Sequence, residues 1–460
     1  MSVLAPPDAG FDLEVPVLIV GAGAAGMVAA LAVDEAGGSA LVVEADTVPA
    51  GSTALSAGLI PAAGTRHQAA AGIADTPAIF AADIQAKAAG ENPQDLVDTL
   101  AGGAGPTVEW LAERFEMPFS LVHDFDYPGH SRRRMHGLPT RAGQDLVDRL
   151  RAACEARGID IVCNRRATGL FADAGAIKGV AVAAPGGTET LGCQALVLAC
   201  NGFGGNAAMV ARHMPEIDSA LWFGHDGNRG DAVIWGAALG ARTRHLAAYQ
   251  GHGNVATPHG ILLTWAVITE GGVQVNSAGT RFWDESQGFS EAARAVLAQP
   301  GGVAWTVFDA RIAAIARQFH DFQAAEAAGA IRTAPTLAAL AAACDLPRER
   351  FVATIADLPT DGADTFGRVF AGPRLAPPFA AVKVTGALFH TQGGLDVFPD
   401  ARVKTERGGA IGNLFAAGGA AVGVSGRGDR GYLSGNGLLS AVVLGRIAGR
   451  SAAVEARKPA

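Results

Sequence analysis

The sequence predicts an α/β fold in which a parallel-sheet domain is built from both ends of the chain and a second, α+β domain is inserted between them. Three observations predict it. An apolar run, a glycine cluster and an alanine-rich stretch follow one another over Val15–Val33. Two later apolar runs, at 194–200 and 412–417, also end in glycine-rich turns. Between those two runs, residues 215–380 hold five of the six tryptophans, alanine-rich helical stretches near 310–345 and a proline-rich exit at 373–378. The expected boundaries are 1–214 with 381–460 for the first domain and 215–380 for the inserted one.

Each element follows from its composition. The 19 residues Val15–Val33 carry no charge and would pass for a membrane span on hydropathy alone, but Pro16, Gly21, Gly23 and Gly26 interrupt them in the order strand, tight turn, helix. A strand at 16–20, a helix from Gly23 to Glu35, a stop at Gly37-Gly38 and a strand at 40–44 complete a βαβ unit. Gly21 permits the turn, Gly23 lets backbone amides approach a pyrophosphate, and Gly26 allows close helix–strand packing. The helix N-terminus at Ala24 and Ala25 then faces phosphate charge. Glu44, followed by Ala45, ends the second strand where an acid accepts hydrogen bonds from a ribose, so a dinucleotide site is the reading, against a glycine turn with a surface glutamate. A helix at 142–157 and a strand at 159–163, ending in Arg165-Arg166-Ala167, serve the same domain.

With 460 residues and a net charge of −8, the chain lacks the electrostatic footprint of a nucleic-acid binder; its one dense basic run is Ser131-Arg132-Arg133-Arg134. Five cysteines, the nearest pair seven positions apart, form no disulfide framework, zinc knuckle or haem motif, and no metal site is expected. The N-terminal segment has Asp8, Asp12 and Glu14 and no basic region before an apolar stretch, which points to a cytoplasmic protein without a membrane span.

Seven ordered segments together resemble the flavoprotein family of fumarate reductases, succinate dehydrogenase flavoprotein subunits and 3-ketosteroid dehydrogenases. They are the N-terminal fingerprint, GSTALSAGLIPAAGT (51–65), LACNGFGGN (198–206), NRGDAVIWGAALGA (228–241), GGVQVNSAGTRFWDE (271–285), HTQGGL (390–395) and GYLSGNGLLSAVVLGRIAG (431–449). The resemblance implies a Rossmann-like FAD-binding domain, a capping domain that closes over the flavin, and oxidation or reduction of a C=C bond. By position it assigns Gly21, Gly23, Gly26 and Glu44 to the ADP half of FAD. Ser52, Thr53, Ser56, Ala57 and Gly58 fall on the loop around the pyrophosphate and flavin. Ala167 is a backbone contact to adenine, Asn201 and Gly202 form the second glycine-rich turn, and Asp231 is a cap-side contact. Gly418 and the stretch Ser434, Asn436, Gly437 and Leu438 lie under the flavin. Ser52 stands where some relatives have the histidine that bonds covalently to flavin, so noncovalent FAD is expected. Gly419 stands where many have a glutamate.

The resemblance also frames the chemistry. Tyr432 occupies the place of the dicarboxylate reductases' arginine, as in ketosteroid dehydrogenases, where this tyrosine and the amide of Asn436 bind a ketone oxygen. Phe289 replaces the arginine or tyrosine that relays a proton, which leaves His252, His390 and Tyr249 as candidates. The expectation is therefore an FAD oxidoreductase acting beside the carbonyl of a small-molecule substrate, with an external electron acceptor or donor. The alternatives are an unsaturated carboxylic acid bound through Arg427 or Arg430, and a flavin-binding subunit needing a partner. His130 and His136, flanking Arg132–Arg134, read as part of a solvated charged loop.

Overall fold

The computed structural model describes residues 2–123 and 127–458. They divide into two compact units: the first comprises residues to Met214, Gly224–Tyr249 and His390 onward, and the second Pro215–Phe223 with Gln250–Phe389. Residues 224–249, counted with the insertion on sequence grounds, thus fold with the first unit, and 381–389 with the second.

The first unit is organised by Leu13–Val20, whose inner half Val17–Val20 is completely or almost completely buried. It pairs in parallel with Ala40–Val43 on one side and Gly187–Leu198 on the other, in registers that set Val17 beside Ala40 and Ala195 beside Val17. Ala410–Ala416 adds a further parallel strand to Gly187–Leu198, with Leu196 beside Leu414, and Asp160–Val162 extends the opposite edge. Continuous Val, Ile and Leu runs suit such interior strands, which are covered on both faces. The first half of Gly187–Leu198 pairs antiparallel with Ala176–Ala184, which in turn pairs with Arg166–Asp173.

Helices cover this sheet. Ala24–Glu35 buries every residue from Ala24 to Val33, so the apolar stretch from Val15 is a strand and a core helix, not a span. Asn436–Glu455 is the one helix among the described residues long and apolar enough to cross a bilayer, yet 61% of its most apolar window is buried. It lies directly on Ala24–Glu35: a Cβ at Gly445 would stand 2.5 Å from the Ala25 carbonyl oxygen, and one at Gly449 2.1 Å from that of Ala29. Only glycine allows that approach. Gly143–Ala156 buries Leu146, Val147, Leu150 and Cys154 at helical spacing.

The second unit holds a mixed sheet ordered Ile261–Leu262, Tyr249–Ala256, Phe379–Thr391, Val303–Asp309, Val273–Val275. The alanine-rich region divides into helices Ala310–Ala316, His320–Ala327 and Leu337–Ala343, with the strand Ile331–Ala334 between them. Phe308 and Phe322 meet edge to face, with ring centroids 5.8 Å apart, inside its core.

Candidate active site

In the first unit the parallel strands end at a cleft lined by Gly21, Gly23, Glu44, Ala45, Ala167, Asn201 and Asp231. Gly21 adopts a φ of +104°, and a Cβ there would stand 2.5 Å from the Ala199 carbonyl oxygen; a Cβ at Gly26 would lie 1.8 Å from that of Gly21. Both glycines are therefore steric requirements of strand–turn–helix packing, whereas a Cβ at Gly23 would make only an ordinary contact, 3.5 Å from Thr53 Oγ1. Glu44 is buried and its carboxylate is already oriented: Oε2 accepts from the Ala22 amide at 2.6 Å and Oε1 from that of Asp46 at 2.9 Å.

The 51–58 loop is built around the same helix end. Thr53 Oγ1 accepts from the Ala24 amide at 3.1 Å, and Ser56 Oγ donates to the Thr53 carbonyl at 2.7 Å while accepting from Gly58. Ser52 Oγ accepts from Asn228 Nδ2, and His225 Nε2 pairs with Asp46 Oδ2 at 2.8 Å, so the 224–230 segment is tied to this edge. Ala57 is exposed. Asp231 belongs to the first unit and lines the cleft with Glu44, which corrects its assignment to the cap side. Its position is set by the turn at Gly230, which has φ +83° and starts the helix Asp231–Ala238. Burial pushes its carboxyl up, opposed by Arg229 and Arg166. Its Oδ1 is buried without a hydrogen-bond partner among the described residues.

A second polar centre surrounds the start of Asn436–Glu455. Gly435 takes a φ of +87° and lets the helix begin at Asn436, which is completely buried. Tyr432 is buried; burial pushes its phenol well above the ordinary tyrosine range, with backbone hydrogen bonds from Gly435 and Gly437 acting the other way. The His390 ring stands edge-on to Tyr432, with centroids 5.7 Å apart. Burial lowers the His390 pKa to about 4, so the ring is neutral at physiological pH. A Cβ at Gly437 would come 3.1 Å from His390 Nε2. Leu438 is buried behind this edge, and Gly418 turns with φ +59° at the end of Ala410–Ala416. A Cβ at Gly202 would collide with Thr391 Oγ1, and one at Gly419 with the Gly202 amide, so a glutamate at 419 is sterically excluded.

The remaining candidates have other surroundings. Tyr249 is fully buried in the first unit. His252, in the second, is stacked between Phe289 at 5.1 Å and Phe389 at 5.4 Å, and burial lowers its pKa to about 3. Its Nδ1 accepts from the Asn254 amide. A cationic acid role is thereby closed to it. Arg427 and Arg430 are exposed.

The charged-loop expectation at 130–136 is overturned. Arg132 and Arg133 are exposed, but Arg134 and His136 are buried. Asp75 accepts from Arg134 Nε at 2.9 Å and Asp83 pairs with the same guanidinium, supplying the counter-charge that burial demands. His130 Nδ1 faces Arg134, and its Nε2 donates to the Ser434 carbonyl at 2.9 Å, so this ion cluster braces the loop carrying Tyr432. Burial first, then Arg134, lowers the His130 pKa to about 4.

The cleft fits FAD. It combines a helix start without side chains at Gly23, an oriented carboxylate at Glu44 and a buried, unpartnered acceptor at Asp231. Among the described residues no group of three or more His, Cys, Asp and Glu is arranged to hold a metal. Two glycine-turned strand ends converging on such a cleft define a dinucleotide-binding protein. The chain matches the FAD binding domain family over residues 16–438 and belongs to it. It is 31% identical to a probable fumarate reductase of Shewanella frigidimarina over 97% of this chain and 76% of that protein. Among solved structures it is similar to the open conformation of a flavocytochrome c3 fumarate reductase, with a TM-score of 0.84, 30% identity, and coverage of 98% of this chain and 80% of that one. A 3-ketosteroid-Δ4-(5α)-dehydrogenase from Rhodococcus jostii superimposes with a TM-score of 0.78 at 22% identity, covering 98% and 100%, a likeness of fold alone. The chain is an FAD-dependent oxidoreductase acting on carbon–carbon double bonds and the single bonds they become.

Proposed function

We propose that this flavoprotein reduces the C=C bond of an α,β-unsaturated carboxylic acid, the alternative rather than the ketone reading favoured by the sequence. What carries this is the 31% identity to the Shewanella fumarate reductase over nearly the whole chain, whereas the ketosteroid dehydrogenase shares the fold only. Bound FAD supplies the hydride exchange. The chain's own part is polar: the Tyr432 hydroxyl and His390 donate to a substrate oxygen beside the N-terminus of Asn436–Glu455, which favours negative charge. With Tyr432 and Phe289 at the two arginine positions, the preferred acid carries one carboxylate and an apolar remainder.

A cyclic enone is the second reading, favoured by the neutrality of this centre: Tyr432 is buried and protonated, and Arg427 and Arg430 are exposed. Turnover of a reduced viologen dye by the loaded enzyme, offered unsaturated monocarboxylates, dicarboxylates and cyclic enones, separates the readings. Oxidation with a monocarboxylate supports the proposal. Oxidation with enones only replaces it by the second reading, and oxidation with none moves the chain to a subunit that needs a partner.

The FAD is proposed to be noncovalent, because Ser52 offers no imidazole; colour retained in an acid-precipitated pellet would refute that. Electrons come from an external donor. Five free cysteines support a reducing, cytoplasmic setting, and the second unit, Pro215–Phe223 with Gln250–Phe389, is proposed as the capping, substrate-side domain, read by hydrogen exchange at 250–290 with and without ligand.

A further inference from the structure

We propose that Asn436, Ser425 and Gln392 form a one-way hydrogen-bond chain that fixes His390 as its Nε2–H tautomer, making His390 a permanent neutral donor to the substrate oxygen. The use of that donor rests on the function proposed above; the chain of bonds does not. All four residues lie in the first unit, and Asn436, Ser425 and Gln392 are buried.

Two carbonyls that can only accept bear on the direction, Val424 at the Asn436 end and Thr391 at the His390 end, and the shorter Val424 contact is the starting point. The Val424 carbonyl can only accept, and it lies 3.2 Å from Asn436 Nδ2, which fixes that atom as the amide NH₂. The same nitrogen is 3.1 Å from Ser425 Oγ, so the hydroxyl accepts there. Its own proton then goes to Gln392 Oε1, 2.8 Å away. Gln392 therefore presents its NH₂ to His390 Nδ1 at 3.0 Å, and Nδ1 must be the bare, accepting nitrogen. The ring proton is left on Nε2.

The reverse arrangement satisfies fewer groups. A proton on Nδ1 would point to the Thr391 carbonyl at 3.3 Å and would turn the Gln392 oxygen toward the ring. The Gln392 NH₂ and Asn436 NH₂ would then both face Ser425 Oγ, whose proton loses the acceptor it has in the first arrangement. In a buried setting a half-satisfied network is costly, so the first direction holds. The Nε2 side is kept clear by Gly437, where a Cβ would come 3.1 Å from that nitrogen. Tyr432 is a titratable side chain packed against the ring, and burial keeps it neutral too. Gln392, Ser425 and Asn436 are thus positioning residues, and none was singled out for this role by the sequence pattern.

The experiment uses FAD-loaded protein labelled with ¹⁵N-histidine, the His390 signal being the one lost in His390→Gln. Wild type should show the Nε2–H pattern with no substrate present. Gln392→Glu should invert it, because a carboxylate accepts from Nδ1–H and can still accept from Ser425. At pH 8 its kcat should fall roughly 10²–10³-fold, the range for one lost oxyanion donor, with KM little changed. The new carboxylate also raises the His390 pKa, and imidazolium donates from both nitrogens, so this variant alone should regain rate as pH falls. Ser425→Ala should give mixed tautomers and Ser425→Thr should restore the single one. A merely structural role would lower stability or FAD content while leaving the tautomer and pH profile unmoved, and would overturn the proposal. An Nδ1–H pattern in wild type would overturn it outright. Failure of every unsaturated acid as substrate refutes the proposed function and leaves the tautomer result standing, so the two failures are distinguishable.

Discussion

His390 in the first unit and His252 in the second are both buried imidazoles whose pKa values burial lowers to about 4 and about 3. They differ in what encloses them. His390 meets a polar chain through Gln392 and an edge-on tyrosine, while His252 lies nearly parallel to Phe289 and Phe389, at 19° and 22°, with Trp265 edge-on. Burial removes the positive charge from both rings but not the N–H. Whether that N–H becomes a directed donor depends on the surrounding bonds, so the two histidines have the same charge state and different uses.

The property they share gives the largest expected effect. His130, His136, His252 and His390 all have folded pKa values below the ordinary 6.5, at about 4, 4, 3 and 4. Between those values and 6.5 the unfolded chain binds protons the folded chain refuses. Stability is therefore fully present above pH 6.5 and falls as pH drops toward 4, each unit of depression being worth about 1.4 kcal/mol. Thermal melts from pH 7 to 4 should show a steadily falling Tm; a flat profile would mean these rings protonate in place.

Three substitutions then separate the pair. His390→Phe keeps a ring but removes the donor, and kcat should fall roughly 10²–10³-fold, about 2.7–4 kcal/mol, with FAD content unchanged. Glu44→Ala extends the comparison to a carboxylate already holding two amides: FAD should dissociate more readily, by about 1.5–3 kcal/mol for a charge-assisted bond, as equilibrium dialysis would read. His252→Phe should give the smallest change. It continues the stack, leaves the Asn254 amide without its acceptor at about 1–3 kcal/mol of stability, and keeps kcat. If kcat fell with His252→Phe as far as with His390→Phe, the distinction between wired and stacked histidines would collapse.

The nucleotide cleft was legible in the sequence because its geometry is local: Gly21, Gly23, Gly26 and Glu44 lie within one βαβ unit, and chain spacing alone sets their separation. The α/β class followed from the same unit and from the two later glycine-turned runs. Arg134 was misread because its partners Asp75 and Asp83 lie 59 and 51 residues away, with no periodic signal linking them. The Gln392–Ser425 bond likewise spans 33 residues. Asp231 was recognised as a site residue but assigned to the wrong side, because a single sequence does not show which unit claims 224–249.

The packing of Asn436–Glu455 against Ala24–Glu35 carries a consequence for synthesis. The sheet's middle strand, Leu13–Val20, borders Gly187–Leu198, which in turn borders Ala410–Ala416, and the helix after that closes over Ala25 and Ala29. Contacts this distant in sequence form late. A ribosome has to deliver Asn436–Glu455 before the glycine fingerprint more than 400 residues earlier acquires its covering helix, so nascent chains halted before residue 436 should expose the alanine-rich face to chaperones and proteases and release FAD.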